Sequence, residues 1–353
     1  MTIRVLGLSL YGPLAASTRY RLSQFVPGLL ERDVELVVVG LLSDEYVRRS
    51  YAGQRYPLRY LVRDYVARVG LLFGQGRYDL AIVNAELFPL MPGLIEANLL
   101  RIPFIYDFDD AFFLKYRLER FRRFAPLLRD KFDPIVQRAS AVLAGNTYLA
   151  KYALAHNPRT SVFPTVVDIN RYRPDGTKDV DIFTVGWIGS PSTAVYLSEL
   201  RETLEALGRD GPVRFVVVGG CSAPIAGVEV VNLPWADVTE VGLINTFDVG
   251  VMPLFDDDWA RGKCAFKLIQ YMACGVPVVA SAIGANCEVV DSTSGFLAAD
   301  SSEWLNALKK LRDSRQLRAQ MGEAGRSRVV TEYSLQGALP KMAEAIQSVV
   351  GGR

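Results

Sequence analysis

The sequence predicts an α/β protein made of two facing parallel-sheet domains with a cleft between them. Three observations predict it. Strands alternate with helices through the first 165 residues, a turn-rich segment bracketed by Pro164 and Pro174 follows, and the same alternation restarts at Ile182. Strands separated by helices pair in parallel, because the chain must cross the sheet before it can return in the same direction. At 353 residues there is enough chain for two domains of ordinary size. The expected division is 1–165 and 166–334, with a last helix of about 335–353 that can pack back on the first domain.

In the first half, Arg4–Leu10 is an apolar strand that gives way to a small-residue loop, 11–17, containing Gly12. A helix is predicted over about 18–31, then strands at Val34–Val39, Leu80–Val83, Phe104–Tyr106, Ala141–Leu143 and Val162–Phe163. Helices fall around 60–72 and 92–99. The stretch 111–138 reads as helical and basic, with aromatics interleaved among the arginines of Lys115-Tyr-Arg-Leu-Glu-Arg-Phe-Arg-Arg-Phe-Ala-Pro126.

In the second half, Ile182–Ile188 is a strand, and Gly189-Ser-Pro-Ser192 is the loop after it. Ser190 is the expected cap and Pro191 the first residue of a helix running to about 207. Strands follow at Val213–Val218, Val228–Val231 and Val249–Met252. Asp237 and Glu240, three apart, suit a capping arrangement for a helix over 238–246. Ala265–Cys274 then places Phe266, Leu268, Ile269, Met272 and Ala273 on one apolar face. Gly275 suits a left-handed helix end, Pro277 forbids continuation, and Val276–Ala280 reads as a buried strand. Three helices, about 301–313, 315–330 and 335–349, close the chain.

The amides that open the 265–274 helix have no partner within it, and Lys263 and Lys267 stand near that end. Lysines there oppose the helix dipole unless an anion lies between them, so the pattern calls for a phosphate. The net charge is +2, but residues 1–165 carry 22 lysines and arginines against 15 acids, and the remainder 18 against 23. The basic half suits an anionic neighbour such as a membrane surface or charged glycan. Four cysteines without a C-x-x-C pair, and one histidine, His156, argue against zinc and for a reducing compartment. The first ten residues are too short and too soon interrupted to read as a secretory signal, and no run has the length expected of a membrane span. The expected location is cytoplasmic, with peripheral contact at the inner membrane face through the basic half. No nucleic-acid partner is expected.

From about Pro164 to Tyr333 the chain resembles the family-4 (group 1) retaining glycosyltransferases of GT-B architecture. The resemblance rests on Pro164-Thr-Val-Val-Asp168 with Tyr172-Arg-Pro174, on Phe247-Asp-Val-Gly-Val-Met-Pro253, on Met272-Ala-Cys-Gly-Val-Pro-Val-Val-Ala-Ser281, and on Gly284 followed by Glu288-Val-Val290. It implies two Rossmann-like domains with a nucleotide-sugar donor (UDP- or GDP-linked) in the cleft. It further implies transfer to a hydroxyl of a glycan, a glycolipid or another acceptor, retention, and no metal or other cofactor. Where the family carries two glutamates eight apart, this chain has Gly262 and Gln270. The family's arginine and lysine near the start of the second domain are missing as well; the loop there is Gly189-Ser-Pro-Ser-Thr193.

Lys263 and Lys267, with Arg261 nearby, supply the positive charge instead, since a departing diphosphate gains charge as the glycosidic bond breaks. The donor set is completed by Gly12 and Arg19 from the first domain, with Arg21 beside Arg19 as another cation that could approach the phosphates, and by Gly189, Ser190, Ser192, Thr193, Trp235, Phe266, Gln270 and Glu288 from the second. Asp257 or Asp258 is a substitute for the carboxylate missing at 262. On the acceptor side, Asp109 or Asp110 follows a strand end and can orient or deprotonate the hydroxyl. Asp107-Phe-Asp109 and Asp256-Asp-Asp258 mimic a D-x-D metal site, and both read as lookalikes. Two rivals stand beside the transferase: a non-catalytic subunit that binds a nucleotide sugar or glycan, and a nucleotide-sugar epimerase on the same fold.

Overall fold

A computed structural model describes residues 2–176 and 182–352, the side chain of Arg120 excepted. The chain divides into two compact units, Met1–Val166 with Leu335–Arg353, and Val167–Ser334.

The first unit is a six-stranded sheet of β1 (Ile3–Tyr11), β2 (Val34–Leu42), β3 (Leu80–Asn84), β4 (Phe104–Phe108), β5 (Ala141–Ala144) and β6 (Thr160–Val162). Every pairing is parallel, in the order β2-β1-β3-β4-β5-β6. Its strands read as near-continuous apolar runs because both faces are covered. One core gathers Leu22, Phe25, Leu29, Ile82 and Ile105 with Ala338, Met342 and Ile346 of the closing helix Leu335–Gly351.

Two helical expectations need correction here. The helix after β1 is three pieces, Ala16–Arg21, a 3-10 turn Ser23–Phe25 and Val26–Leu30, broken where Leu22 leaves helical geometry. The basic stretch is likewise four pieces, Phe112–Lys115, a 3-10 turn Glu119–Phe124, Ala125–Leu128 and Phe132–Arg138. Pro126 and Pro134 each sit near a helix start, where a missing N–H costs nothing, and they prevent one continuous amphipathic helix.

The second unit holds β7 (Phe183–Ile188), β8 (Val213–Val218), β9 (Glu229–Leu233), β10 (Val249–Met252), β11 (Val278–Ser281) and β12 (Gly295–Ala298). All pair in parallel, in the order β12-β11-β10-β7-β8-β9. Counted from its own first strand, this is the Rossmann order, whereas the first unit follows the flavodoxin-like one. Its main core includes Trp187, Phe215, Val251, Trp304 and Leu308. The segment after β7 is a 3-10 stretch, Pro191–Leu200, before the α-helix Arg201–Arg209. Ser190 occupies the expected cap position but makes no capping bond. β12 has no counterpart among the expected strands.

Candidate functional site

In the second unit the chain lays β7 first, sends β8 and β9 to one side and β10 to β12 to the other. The segments leaving β7 and β10 therefore diverge, and in open α/β sheets ligands bind outside the strand ends at such a switch point. The first of these segments is Gly189–Thr193 and the second is Pro253–Ala265.

The helix Phe266–Ala273 is fixed at this point by Tyr271. Gly250 in β10 makes room for the Tyr271 ring, which lies 2.2 Å from where a Cβ would stand. The Tyr271 hydroxyl accepts a bond from the amide of Ile188, the last residue of β7, at 2.9 Å. One turn earlier on the same face, Lys267 runs beside the loop after β7. Its Cε is 2.9 Å from the place of a Gly189 Cβ, and its Nζ lies 5.6 Å from the centre of the buried Trp187 ring. Gly219, with φ +79°, faces the Gly189 carbonyl and the Trp235 Cβ closely enough that no side chain fits. Gly189, Lys267 and Trp235 thus meet at the ends of β7, β8 and β9. Ser190 bonds Ser192 at 2.9 Å and Thr193 at 3.4 Å, forming a hydroxyl cluster on the same loop.

Several expected positions shift. Lys263 is not on the lysine-bearing helix; it sits in the joint between Asp258–Arg261 and Phe266–Ala273, its Nζ 5.7 Å from the Tyr196 ring centre. Left-handed Ala265 (φ +51°) makes that joint and adds no side-chain cap to the helix bearing Phe266 and Lys267. Arg261 pairs at the surface with Asp256 at 2.8 Å and Asp258 at 3.1 Å. Asp257 caps the short helix through Ala260 at 2.7 Å. Glu288 lies on the short helix Asn286–Val289, and Gly284, just before that helix, packs against the Arg261 backbone.

Gln270 is buried, and its amide donates to the Tyr172 hydroxyl and to Glu240, each at 3.0 Å. Glu240 also accepts from the Tyr172 hydroxyl and the Trp235 indole N–H. The expected capping role for Glu240 is therefore wrong: the helix Glu240–Asn245 has no side-chain cap, and the buried carboxylate instead ties Trp235 to Gln270. A buried indole N–H and a phenol both demand an acceptor, and Glu240 is where they find it.

In the first unit Asp109 and Asp110 follow β4. Burial, with Asp107 and Asp110 adding and the Arg21 charge opposing, pushes the Asp109 carboxyl up to about 6. That is a useful value for moving a proton near neutrality. Gly12 makes room for Asp44, whose Oδ1 lies 2.4 Å from the place of a Cβ and also accepts from Leu14 N. A carboxylate at that spot disfavours a phosphate, so Gly12 does not read as part of an anion cradle. Arg19 donates to the Leu14 carbonyl at 3.3 Å on the same loop. Arg21, weighed with Arg19 as a phosphate ligand, is buried in a two-pronged pair with Asp107.

The sequence reading missed a buried cluster after β3. Glu86 pairs with Lys115 and Lys131, Glu96 with Lys131 at 2.9 Å, and the Tyr116 hydroxyl donates to Glu86 at 2.6 Å. These groups hold the segment from Ala85 to Leu90, both of which are in left-handed conformations rare for such residues. Lys115 therefore points inward, and is not part of a basic outer face.

Two six-stranded parallel-sheet units with helices on their faces give an α/β protein whose fold matches GT-B structures. Residues 180–314, within the second unit, match the family model of the glycosyl transferases group 1. No curated protein matches the chain. Among solved structures it is similar to HepE of Anabaena, solved with UDP and glucose: 17% identity, TM-score 0.71, covering 98% of this chain and 100% of that one. It is also similar to sucrose-phosphate synthase of Thermosynechococcus elongatus, at 14% identity and TM-score 0.71 over 100% of both chains. A glycosyltransferase of Rickettsia africae matches at 12% identity and TM-score 0.65, again over the full length of both chains. At these identities the likeness concerns the fold.

Proposed function

We propose that the chain is a retaining glycosyltransferase that moves a sugar from a nucleotide donor to an acceptor hydroxyl, in the building of a surface polysaccharide or glycolipid. The observation that carries this is Lys267, laid against Gly189 and Trp187 at the switch point of a group 1 glycosyltransferase domain. A fixed ammonium there stabilises the diphosphate most as the glycosidic bond breaks. Lys263 adds a second cation, Trp235 lines the nucleoside side with its indole fixed by Glu240, which Gln270 braces from behind, and no metal is required. Retention and attack on the donor's front face follow from the family resemblance. HepE, solved with UDP and with UDP-glucose, supports a uridine nucleotide over a guanosine one. A thermal-shift series with UDP, GDP, ADP and their sugars tests the binding, since a ligand of the folded state raises the melting point. UDP should give the largest shift, and UDP-sugar should release nucleotide when acceptor is added. If none of the nucleotides shifts the melting curve, the site is misassigned.

A second reading has its own observation. With Gly262 and Gln270 in place of carboxylates, and Arg261 paired with Asp256 and Asp258, the domain fits a non-catalytic subunit that holds a nucleotide sugar for a partner. A donor bound tightly but never turned over would favour it.

Asp109 is the proposed base for the acceptor hydroxyl, and its carboxyl must be ionised to act. Activity should therefore fall as pH drops below about 6, and Asp109→Asn should remove that limb along with most of the turnover. The stability sign is opposite. A carboxyl raised from 3.8 to about 6 by folding favours the folded state fully below the lower value and loses that contribution as pH rises through the higher one. At pH 7 Asp109→Asn should melt above the parent. A variant with full activity and an unmoved pH profile would take Asp109 out of the reaction.

A further inference from the structure

The helix Leu58–Phe73 in the first unit is built inside out. It buries Asp64 and Arg68 along with Leu72, and exposes Leu58, Val62, Val66, Val69 and Phe73. Those five positions are spaced four, four, three and four apart, so they form one stripe along the helix. Leu58 is 72% exposed and Phe73 82%. The inward anchors are polar. Arg68 donates to the carbonyls of Ser9 and Val39 at 2.8 and 2.9 Å, and Asp64 accepts from the Tyr56 hydroxyl at 2.5 Å.

The next helix, Gly93–Leu99, adds exposed apolar side chains on the same face of the sheet. The crossovers from β2 to β3 and from β3 to β4 run in the same direction across the sheet. Being right-handed, they place both helices on one face. Gln75, at the foot of the first helix, bonds the Leu99 carbonyl at 3.1 Å and the Arg101 amide at 2.8 Å. This second helix exposes Leu94 and Ile95 and buries Glu96. Each helix has a single acid, Asp64 in one and Glu96 in the other, and both are buried; Arg63 is exposed but forked onto Asp64 at 2.8 Å, while Arg55 and Arg59 are exposed at the helix start.

We infer that this face docks on an anionic lipid bilayer, with the Leu58–Phe73 helix lying in the headgroup layer. Exposed apolar side chains flanked by arginines, with no exposed acid on either helix, have the make-up of an interfacial helix. The charge pattern favours lipid over a second copy of the chain, because these two helices offer no carboxylate to receive a partner's arginines. Among the described residues no helix is long and apolar enough to cross a membrane, so the contact is peripheral. None of these surface residues belongs to the proposed sugar transfer, and the inference does not depend on that reading.

The test is co-sedimentation of the full chain with vesicles of phosphatidylcholine alone or mixed with phosphatidylglycerol. The parent should sediment with the anionic vesicles, less at high salt, and weakly with neutral ones. Val62→Glu with Val66→Glu should weaken binding by about tenfold or more, and Arg55→Gln with Arg59→Gln should reduce binding to the anionic vesicles selectively. All four substituted side chains are exposed, and an unchanged melting curve and nucleotide shift will show that fold and donor site persist. Vesicle binding unaffected by either pair overturns the proposal. So does a parent that stays in the supernatant, or one that light scattering shows as a dimer split by the glutamates without vesicle binding.

Discussion

Replacing Lys267 by alanine is expected to lower turnover on a nucleotide sugar by roughly 10²–10³-fold, the usual effect of removing one group that stabilises charge developing in a transition state. Affinity for the nucleoside alone should hardly change. The reasoning is geometric. The Tyr271 hydroxyl bonded to Ile188 N fixes the helix to the end of β7, and Lys267 then has one course, over Gly189 and the Trp187 ring. An ammonium held in place by packing needs no reorganisation when the diphosphate leaves. In the ground state the same charge sees a diester-like pyrophosphate with less to neutralise, so kcat should fall more than KM rises. Lys263, in the joint by Tyr196, is less firmly placed, and Lys263→Ala should cost less. Released-nucleotide kinetics on both variants separate the two lysines, and parental turnover in Lys267→Ala would remove it from the mechanism.

What the sequence discloses, and what it hides, follows from how far apart in the chain the interacting groups lie. The stop at Gly275, with φ +70°, is a local matter of a left-handed residue before Pro277, and it is visible without coordinates. β12 is not: Gly295-Phe-Leu-Ala298 is four residues opening with glycine, and only its pairing with β11 makes it a strand. Glu240 stands three residues after Asp237 and so looks like part of a cap. It turns inward because Trp235, Tyr172 and Gln270 converge on it, the last two from 68 and 30 residues away. Periodicity identifies two faces of the Leu58–Phe73 helix, but it cannot say that the polar one is inside, since that is decided by the carbonyls of Ser9 and Val39 on other strands.

Arg21 is the sharpest case of this kind, and it carries the largest expected effect on stability. After a glycine-containing loop it looks like a phosphate ligand, but its guanidinium is 1% exposed and forked onto Asp107, itself fully buried and 86 residues away. It also donates to the Phe163 carbonyl at 2.7 Å, while Asn84 donates to Asp107 at 2.8 Å. Arg21→Met leaves the carboxylate with only the neutral Asn84 amide and should cost about 3–5 kcal/mol, the range for breaking a buried pair by removing one partner. Calorimetry should show the first unit melting far earlier than the second. Adding Asp107→Leu removes the stranded charge, and because an apolar replacement of a whole buried pair is often neutral, the double variant should recover most of the loss. Nucleotide-induced thermal shift should survive in that double variant if the arginine is purely structural. A stable Arg21→Met protein that no longer responds to nucleotide would instead return Arg21 to the phosphates. The single variant has one further consequence: the Arg21 charge is what holds the Asp109 carboxyl down against burial. Whatever activity Arg21→Met retains should therefore show its acid limb displaced above the parental value of about 6, a movement that lost stability alone does not produce.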